Sequence, residues 1–167
     1  MRHGAAAALV LASVGVACST AAPSRPRAPL EAEPRFAAET LTGEAVEIGG
    51  PGPVRLVEVW ATWCAPCAAA SERARAVLRR HPEVLAYAVS IDADRDAVAR
   101  HVAAAPPAGV PLLFGGGPAA AARRGLGDVP TFIVLDTRGR VVGRVTGLSV
   151  GLGPTLERLL RRAEARD

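Results

Sequence analysis

The sequence predicts an α/β fold in which helices cover both faces of a central mixed sheet, with an added β-hairpin at its N-terminal side. Three observations predict this fold. From residue 54 onward, β-rich apolar runs alternate with amphipathic segments of helical period. A Thr-Arg-Gly-Arg turn at 137–140 joins two strand-like runs, and a Thr-Gly pair at 42–43 divides an alternating stretch at 36–48. The alternation indicates a largely parallel sheet, to which the final hairpin adds antiparallel edge strands.

Local signals predict each element in turn. The run at 54–61 is β-rich and reads as a buried strand. The helix after it, at 67–80, places small and apolar side chains on one face and arginines on the other, and the His-Pro pair at 81–82 ends it. The closing helix at 153–165 turns three leucines inward, namely Leu156, Leu159 and Leu160. The other predicted elements are strands at 84–91, 110–114, 131–136 and 141–147 and helices at 94–105 and 118–125.

The first 35 residues are predicted to lie outside this fold. Residues 1–17 combine an early arginine with an uncharged apolar run, which is typical of an export signal and too short to span a bilayer. Residues 18–35 are rich in proline and have no apolar period, so they predict an extended tether. The folded domain is then expected to occupy residues 36–167, and the mature protein is expected to be exported to the cell envelope.

Cys18 stands at the boundary between the export signal and the tether. A cysteine directly after a short apolar run resembles the lipidated cysteine of bacterial lipoproteins, although ordinary cleavage after Ala17 also fits the small residues there. We favour lipidation of Cys18, because the chain has only 3 cysteines and a free thiol has little reason to lie at this position.

The charge of the chain is modest and scattered. All 20 basic residues are arginine, and they alternate with 16 acidic residues to leave a formal net charge of +4. Arginines beside acids along predicted helix surfaces are typical of solvated faces. We therefore expect no nucleic-acid partner.

The stretch "WATWCAPC" at 60–67 holds the two other cysteines. A structural zinc site needs four ligands, and neither a second cysteine pair nor a paired histidine motif accompanies Cys64 and Cys67. A c-type haem anchor needs histidine after the second cysteine, where the chain has Ala68. A static disulfide across two residues removes little entropy from the unfolded chain, so it is a weak alternative that stays open. We expect no metal at this pair.

A reversible disulfide has positive support from the position of the pair. Cys64 lies where a strand passes into a helix, and the helix dipole there favours thiolate and lowers the pKa of the thiol. Cys67, one turn later, is expected to lie deeper and to close on a mixed disulfide. Pro66 has no N–H to lose in the first turn of the helix. The pattern predicts Cys64 as the attacking thiol and Cys67 as the resolving thiol.

The motif resembles the active site of the thioredoxin superfamily. Together with the apolar leader, the 36–48 hairpin and "DVPTFIVLDTRGRVVGRVTG" at 128–147, it resembles the exported TlpA/ResA-like thiol-disulfide oxidoreductases over about residues 36–165. The resemblance implies a thioredoxin-like fold and a cis-proline at Pro130 facing the cysteines. It also implies substrate contacts, with proteins as substrates, at Trp63, Ala65, Pro66, Val129 and Thr131.

Glu58 interrupts the strand before the cysteines. The resemblance places it where thioredoxins have a buried acid that exchanges protons with the deeper cysteine. Burial without a cation would raise the pKa of this carboxyl group into a useful range, and the chain has no lysine to pair with it. An outward orientation on an edge strand is the alternative. Many TlpA-like proteins instead carry an acid three residues after the second cysteine, where this chain has Ala70.

The resemblance thus implies an envelope thiol-disulfide oxidoreductase whose redox group is the Cys64–Cys67 disulfide, without a further cofactor. It favours a monomeric reductant that a membrane electron donor of the DsbD/CcdA type keeps reduced, with a role in cytochrome c maturation, while the direction of transfer stays open. The alternative is a thioredoxin-fold binding protein or metallochaperone without turnover.

Replacing Cys18 with alanine is expected to move the protein from the membrane fraction to the soluble envelope fraction, because only the thiol can carry the lipid. Activity in vitro should not change. Fractionation of a bacterial host that expresses the chain with its own leader, with intact-mass analysis, checks both points. A wild-type protein with an unmodified Cys18 would contradict the prediction.

Overall fold

The computed structural model describes residues 36–104 and 110–166. The predicted signal, the tether and Cys18 lie outside these ranges. The described part contains seven strands and four helices, which follow the predicted order: β1 (Phe36–Thr40), β2 (Ala45–Ile48), β3 (Arg55–Trp60), α1 (Cys67–Leu78), β4 (Leu85–Ser90), α2 (Arg95–Ala104), β5 (Leu112–Phe114), α3 (Gly117–Arg123), β6 (Thr131–Leu135), β7 (Val141–Thr146) and α4 (Leu152–Glu164).

The strands form one mixed sheet in the order β2-β1-β5-β4-β3-β6-β7. Strands β3, β4 and β5 are parallel, and the connections between them contain α1 and α2. The N-terminal hairpin joins the sheet through an antiparallel pairing of β1 with β5. The α/β fold class with an added hairpin is therefore confirmed.

The position of β6 differs from the prediction of two antiparallel edge strands. Strand β6 lies between β3 and β7, so of these two strands β7 alone lies at an edge of the sheet. All five residues of β6 are buried, because each of its faces packs against a helical layer. A hairpin pattern predicts that two strands pair with each other, but it does not predict which of them joins the rest of the sheet.

Side chains of β3 alternate between two apolar layers. Leu56 packs with residues of α1 and α4, whereas Val57 and Val59 pack on the opposite face with Ala121 of α3. Helix α2 contributes Val98 to a third cluster, around Trp60 and the cysteine pair. Helices therefore cover both faces of the sheet, as predicted.

The helices begin and end close to the predicted residues. Helix α1 ends at Leu78 rather than at residue 80, and a turn leads from it to His81. In α4, Leu156 and Leu160 are buried, and Leu159 is half-buried against the same cluster. Within the two described ranges, none of the helices combines the length and the apolar run that crossing a membrane requires.

The turn between β6 and β7 is built around buried Asp136. Its carboxylate accepts backbone N–H groups of Arg138 and Arg140, and it pairs with the Arg140 guanidinium at 2.8 Å. Gly139 has a left-handed φ of 78° and lies against the backbone of Gly50, so a side chain there would collide with it. Burial acts to raise the pKa of Asp136, but the hydrogen bonds from Arg140 and Arg138 outweigh it and hold the pKa below its usual value.

Replacing Asp136 with asparagine is expected to lower the free energy of unfolding at pH 7 by about 1 to 3 kcal/mol, because charged hydrogen bonds are lost. A lowered pKa in the folded state means that the carboxylate stabilises the fold fully above its unfolded pKa of about 4. This contribution is lost as the pH falls through the folded value. The difference between wild type and variant should therefore shrink below about pH 4 in urea denaturation.

Asp96→Asn is a matched control, since Asp96 is exposed on α2. This substitution should change the free energy of unfolding little, both at pH 7 and below about pH 4. An Asp136→Asn difference that stays constant or grows in acid would show that the charge of Asp136 does not stabilise the turn.

Candidate active site

The two cysteines of "WATWCAPC" form a disulfide at the start of α1. Cys67 is the first residue of the helix and is 3 % exposed, whereas Cys64 is half-buried. Pro66 occupies the N-cap and is exposed, as is Ala65. Cys64 is thus the more accessible sulfur and Cys67 the deeper one, in the order that the sequence predicted.

Two consecutive turns present Cys64 between β3 and α1. The Cys64 N–H donates to the carbonyl of Ala61 at 3.1 Å, and the Cys67 N–H donates to the carbonyl of Cys64 at 3.1 Å. Trp60 is buried against Cys67, while Trp63 is 63 % exposed beside the pair. The first tryptophan therefore belongs to the core, and the second presents an apolar surface next to the disulfide.

The loop before β6 lies at the same end of the sheet. The peptide bond between Val129 and Pro130 is cis, which agrees with the expectation for Pro130. Val129 is half-buried and packs against the same two apolar clusters as Cys64. Thr131 is buried instead, and its hydroxyl bonds to the carbonyl of Asp128 and to Thr146. Val129 and Thr131 are the two residues of this loop expected to contact substrate, and Thr131 is the buried one, with its hydroxyl already bonded.

Glu58 lies in an interior strand, which excludes an outward orientation on a sheet edge. Its neighbours in the sheet are Ala88 of β4 and Phe132 of β6. Burial raises the pKa of Glu58, although a hydrogen bond from Ser71 and the charge of Arg75 both act to lower it. The sequence predicted that no cation would accompany this carboxyl group, and this was wrong. The positive charge of Arg75 on α1 acts to lower the pKa of Glu58.

Ser71 is a site residue that the sequence did not reveal. It lies one turn after Cys67 on α1, and its hydroxyl contacts both the Glu58 carboxylate and the carbonyl of Cys67, the latter at 2.9 Å. The only signal was a serine four residues after a cysteine on a predicted helix, a spacing that places both on one side. Ser71 thus links the acid to the helical turn that carries the deeper cysteine.

Asp92 is a second site residue that the sequence did not reveal. It belongs to an acidic stretch at 92–96, in which Asp94 accepts the Asp96 N–H at 2.8 Å at the start of α2. Asp92 is instead buried and bonds to Thr62, two residues before Cys64. The stretch therefore serves two separate purposes.

A cavity of about 740 Å³ opens beside the disulfide. Both cysteines, Glu58 and Ser71 line it, together with apolar side chains of β3, β4 and α1. Glu58 and the cysteine pair therefore face the same cavity. Within 36–104 and 110–166, histidine, cysteine and acidic side chains do not gather into a group of three that could hold a metal ion.

No protein-family model matches the chain, and no curated protein does. Solved structures do match it. A protein assigned as the thiol:disulfide interchange protein DsbE of Chlorobium tepidum is 22 % identical, over 80 % of this chain and 95 % of its own, with a TM-score of 0.66. DsbF of Mycobacterium tuberculosis is 25 % identical, over 78 % and 94 %, with a TM-score of 0.59. The exposed lipoprotein thioredoxin Etrx1 of Streptococcus pneumoniae is 15 % identical, over 77 % and 99 %, with a TM-score of 0.62. The thioredoxin-like fold is therefore confirmed.

Replacing Ser71 with alanine is expected to raise the pKa of Glu58 further, because the variant lacks a hydrogen bond that favours the charged carboxylate. Titration of the side-chain carboxyl carbon by NMR measures this pKa directly. Ser71→Thr keeps a hydroxyl and should stay near wild type. A Ser71→Ala protein whose Glu58 pKa is unchanged or lower would contradict the assignment.

Proposed function

We propose that this protein is a thiol-disulfide oxidoreductase of the TlpA/ResA-like group that exchanges disulfides with protein substrates through Cys64 and Cys67. The observation that carries the proposal is the Cys64–Cys67 disulfide at the start of α1, with the acid Glu58 lining the same cavity. The comparisons support it, since structures with this fold include proteins described as thiol:disulfide interchange proteins and thiol-disulfide oxidoreductases.

In the reduced protein, the Cys64 thiolate attacks one sulfur of a substrate disulfide. A mixed disulfide forms between Cys64 and that sulfur, and the other substrate sulfur leaves as a thiolate. The helix dipole of α1 favours the Cys64 thiolate, whereas the burial of Cys67 disfavours its charged form. The first attack is therefore assigned to Cys64.

The second step releases the substrate. Glu58, as a carboxylate, accepts the proton of the Cys67 thiol, and the Cys67 sulfur then attacks Cys64. The bond between Cys64 and the substrate breaks, and the second substrate sulfur leaves and takes up a proton. One protein dithiol and one substrate disulfide thus become one protein disulfide and one substrate dithiol, with transfer of two electrons and two protons.

The surface around Cys64 is the proposed place of substrate contact. Trp63, Ala65 and Pro66 are exposed beside the sulfur and supply an apolar rim. We assign to Val129 and Pro130 the backbone that pairs with an extended substrate segment. Thr131 is buried, so its contribution to this surface is to hold the loop through the carbonyl of Asp128.

The finer parts of the proposal rest on the sequence resemblance. The protein acts at the cell envelope as a reductant, held at the membrane by a lipid on Cys18 and re-reduced by a membrane electron donor of the DsbD/CcdA type. Its substrates include apocytochromes c on the path to haem attachment. One structural neighbour is described as an exposed lipoprotein and another as secreted, which supports the location.

The cysteine roles separate by mutation in a Cys18→Ala background, which leaves only the two site cysteines. Wild type is expected to accelerate insulin reduction by dithiothreitol, and both Cys64→Ser and Cys67→Ser should fall to the uncatalysed rate. Cys67→Ser should accumulate a mixed disulfide with insulin, because the attacking thiol survives and the resolving one is absent. Cys64→Ser should accumulate almost none.

Non-reducing gels with intact-mass analysis identify the trapped species. Trapping through Cys67 in the Cys64→Ser variant, at the level seen with Cys67→Ser, would reverse the assigned order. A wild-type protein that neither accelerates insulin reduction nor forms mixed disulfides would favour a binding protein without turnover.

A further inference from the structure

Asp92 is a buried carboxyl group that none of the steps above uses. It lies two residues after the end of β4, and its side chain accepts three hydrogen bonds from neutral donors. The Thr62 N–H and the Ser90 hydroxyl donate to Oδ2 at 2.9 and 2.7 Å, and the Thr62 hydroxyl donates to Oδ1 at 2.6 Å. Asp92 is only 5 % exposed, so these donors replace the water that the carboxylate loses on folding.

Thr62 belongs to the turn that presents Cys64. This turn runs from Ala61 to Cys64 and closes through the Cys64 N–H. Thr62 is its second residue, and Asp92 holds it by both its backbone and its side chain. Two hydrogen bonds from Thr62 to Asp92 therefore connect this turn to the residues that follow β4.

Asp92 is itself held in a rigid place. The Ile91 N–H donates to the carbonyl of Trp60 at 2.9 Å, and the Asp92 N–H donates to the Ser90 hydroxyl at 3.0 Å. The first of these bonds continues the pairing of β4 with β3 beyond the last sheet residues, and the second ties Asp92 to the last residue of β4. The carboxylate therefore connects the turn to the end of the paired strands β3 and β4.

We propose that Asp92 is a positioning residue that fixes the turn carrying Cys64 and thereby sets how readily the Cys64–Cys67 disulfide forms. The proposal rests on the proposed function, since it concerns the same cysteine pair. In the reduced protein no covalent bond holds the two sulfurs together, and their encounter depends on how narrowly the turn and α1 confine them. A looser turn lowers the effective concentration of one thiol at the other, so the disulfide becomes easier to reduce.

The experiment measures the reduction potential of the pair by equilibration with a glutathione redox buffer, in the Cys18→Ala background. Thr62→Val removes only the hydroxyl that donates to Oδ1, and Thr62→Ser keeps it. Asp92→Asn replaces a carboxylate oxygen with an NH₂ group that cannot accept. Thr62→Val and Asp92→Asn are each expected to lower the equilibrium constant for disulfide formation about tenfold. This corresponds to a reduction potential that is higher by about 30 mV. Thr62→Ser should stay close to wild type.

Two further measurements separate positioning from general stability. The rate of Cys64 alkylation in the reduced Thr62→Val protein should differ from the wild-type rate. In Thr62→Ser, it should equal the wild-type rate. Ser90→Ala leaves both Thr62 bonds in place and should shift the potential less than Thr62→Val does. Thermal unfolding of each reduced variant shows whether it is folded, and if Asp92→Asn is not folded, the two Thr62 variants decide the matter.

A folded Thr62→Val protein with the wild-type potential and alkylation rate would overturn the proposal. The same holds if Thr62→Ser shifts the potential as far as Thr62→Val. The measurement needs no protein substrate. An inactive wild type in the insulin assay therefore counts against the proposed function, while the potentials still decide the role of Asp92.

Discussion

Strand β3 must bury both of its faces, and the rest of the site depends on this constraint. It lies between parallel β4 and antiparallel β6, and its alternate residues enter the two apolar layers. The chain leaves it at Trp60 and reaches α1 only seven residues later. Because β3 is paired on both sides, it holds the start of the segment that leads to the cysteine pair. It also places Glu58 at the cavity that both cysteines line. The site is therefore built outward from an interior strand of the sheet.

The environment of Glu58 is a balance rather than simple burial. Loss of water favours the neutral acid, while the Ser71 hydroxyl and the Arg75 charge favour the carboxylate. The net effect raises the pKa of Glu58, and the group lines the cavity beside the cysteines. A carboxyl group that changes protonation easily can take a proton from a neighbouring thiol and return it later, whereas a strongly paired one cannot.

Most of the fold could be predicted from the sequence, because it follows from short-range signals. Period and turn residues predicted the order of elements and the mixed sheet, whereas the cis bond at Pro130 was expected from the family resemblance. The interior place of β6 could not be predicted, since strand pairing is a long-range choice. The contacts of Ser71 with Glu58 and of Asp92 with Thr62 join residues 13 and 30 positions apart. No local sequence pattern encodes such pairs. The sequence therefore predicted the two cysteines of the site, but it did not predict the roles of Ser71 and Asp92.

The N-terminal hairpin has a consequence for the edges of the sheet. Without it, the short apolar strand β5 would be an edge with unpaired backbone groups, open to strands of other molecules. Strand β1 pairs with β5 and moves this edge to β2, which carries Glu47. Charged side chains on an edge strand disfavour intermolecular strand addition. The hairpin thus replaces an apolar edge with a charged one.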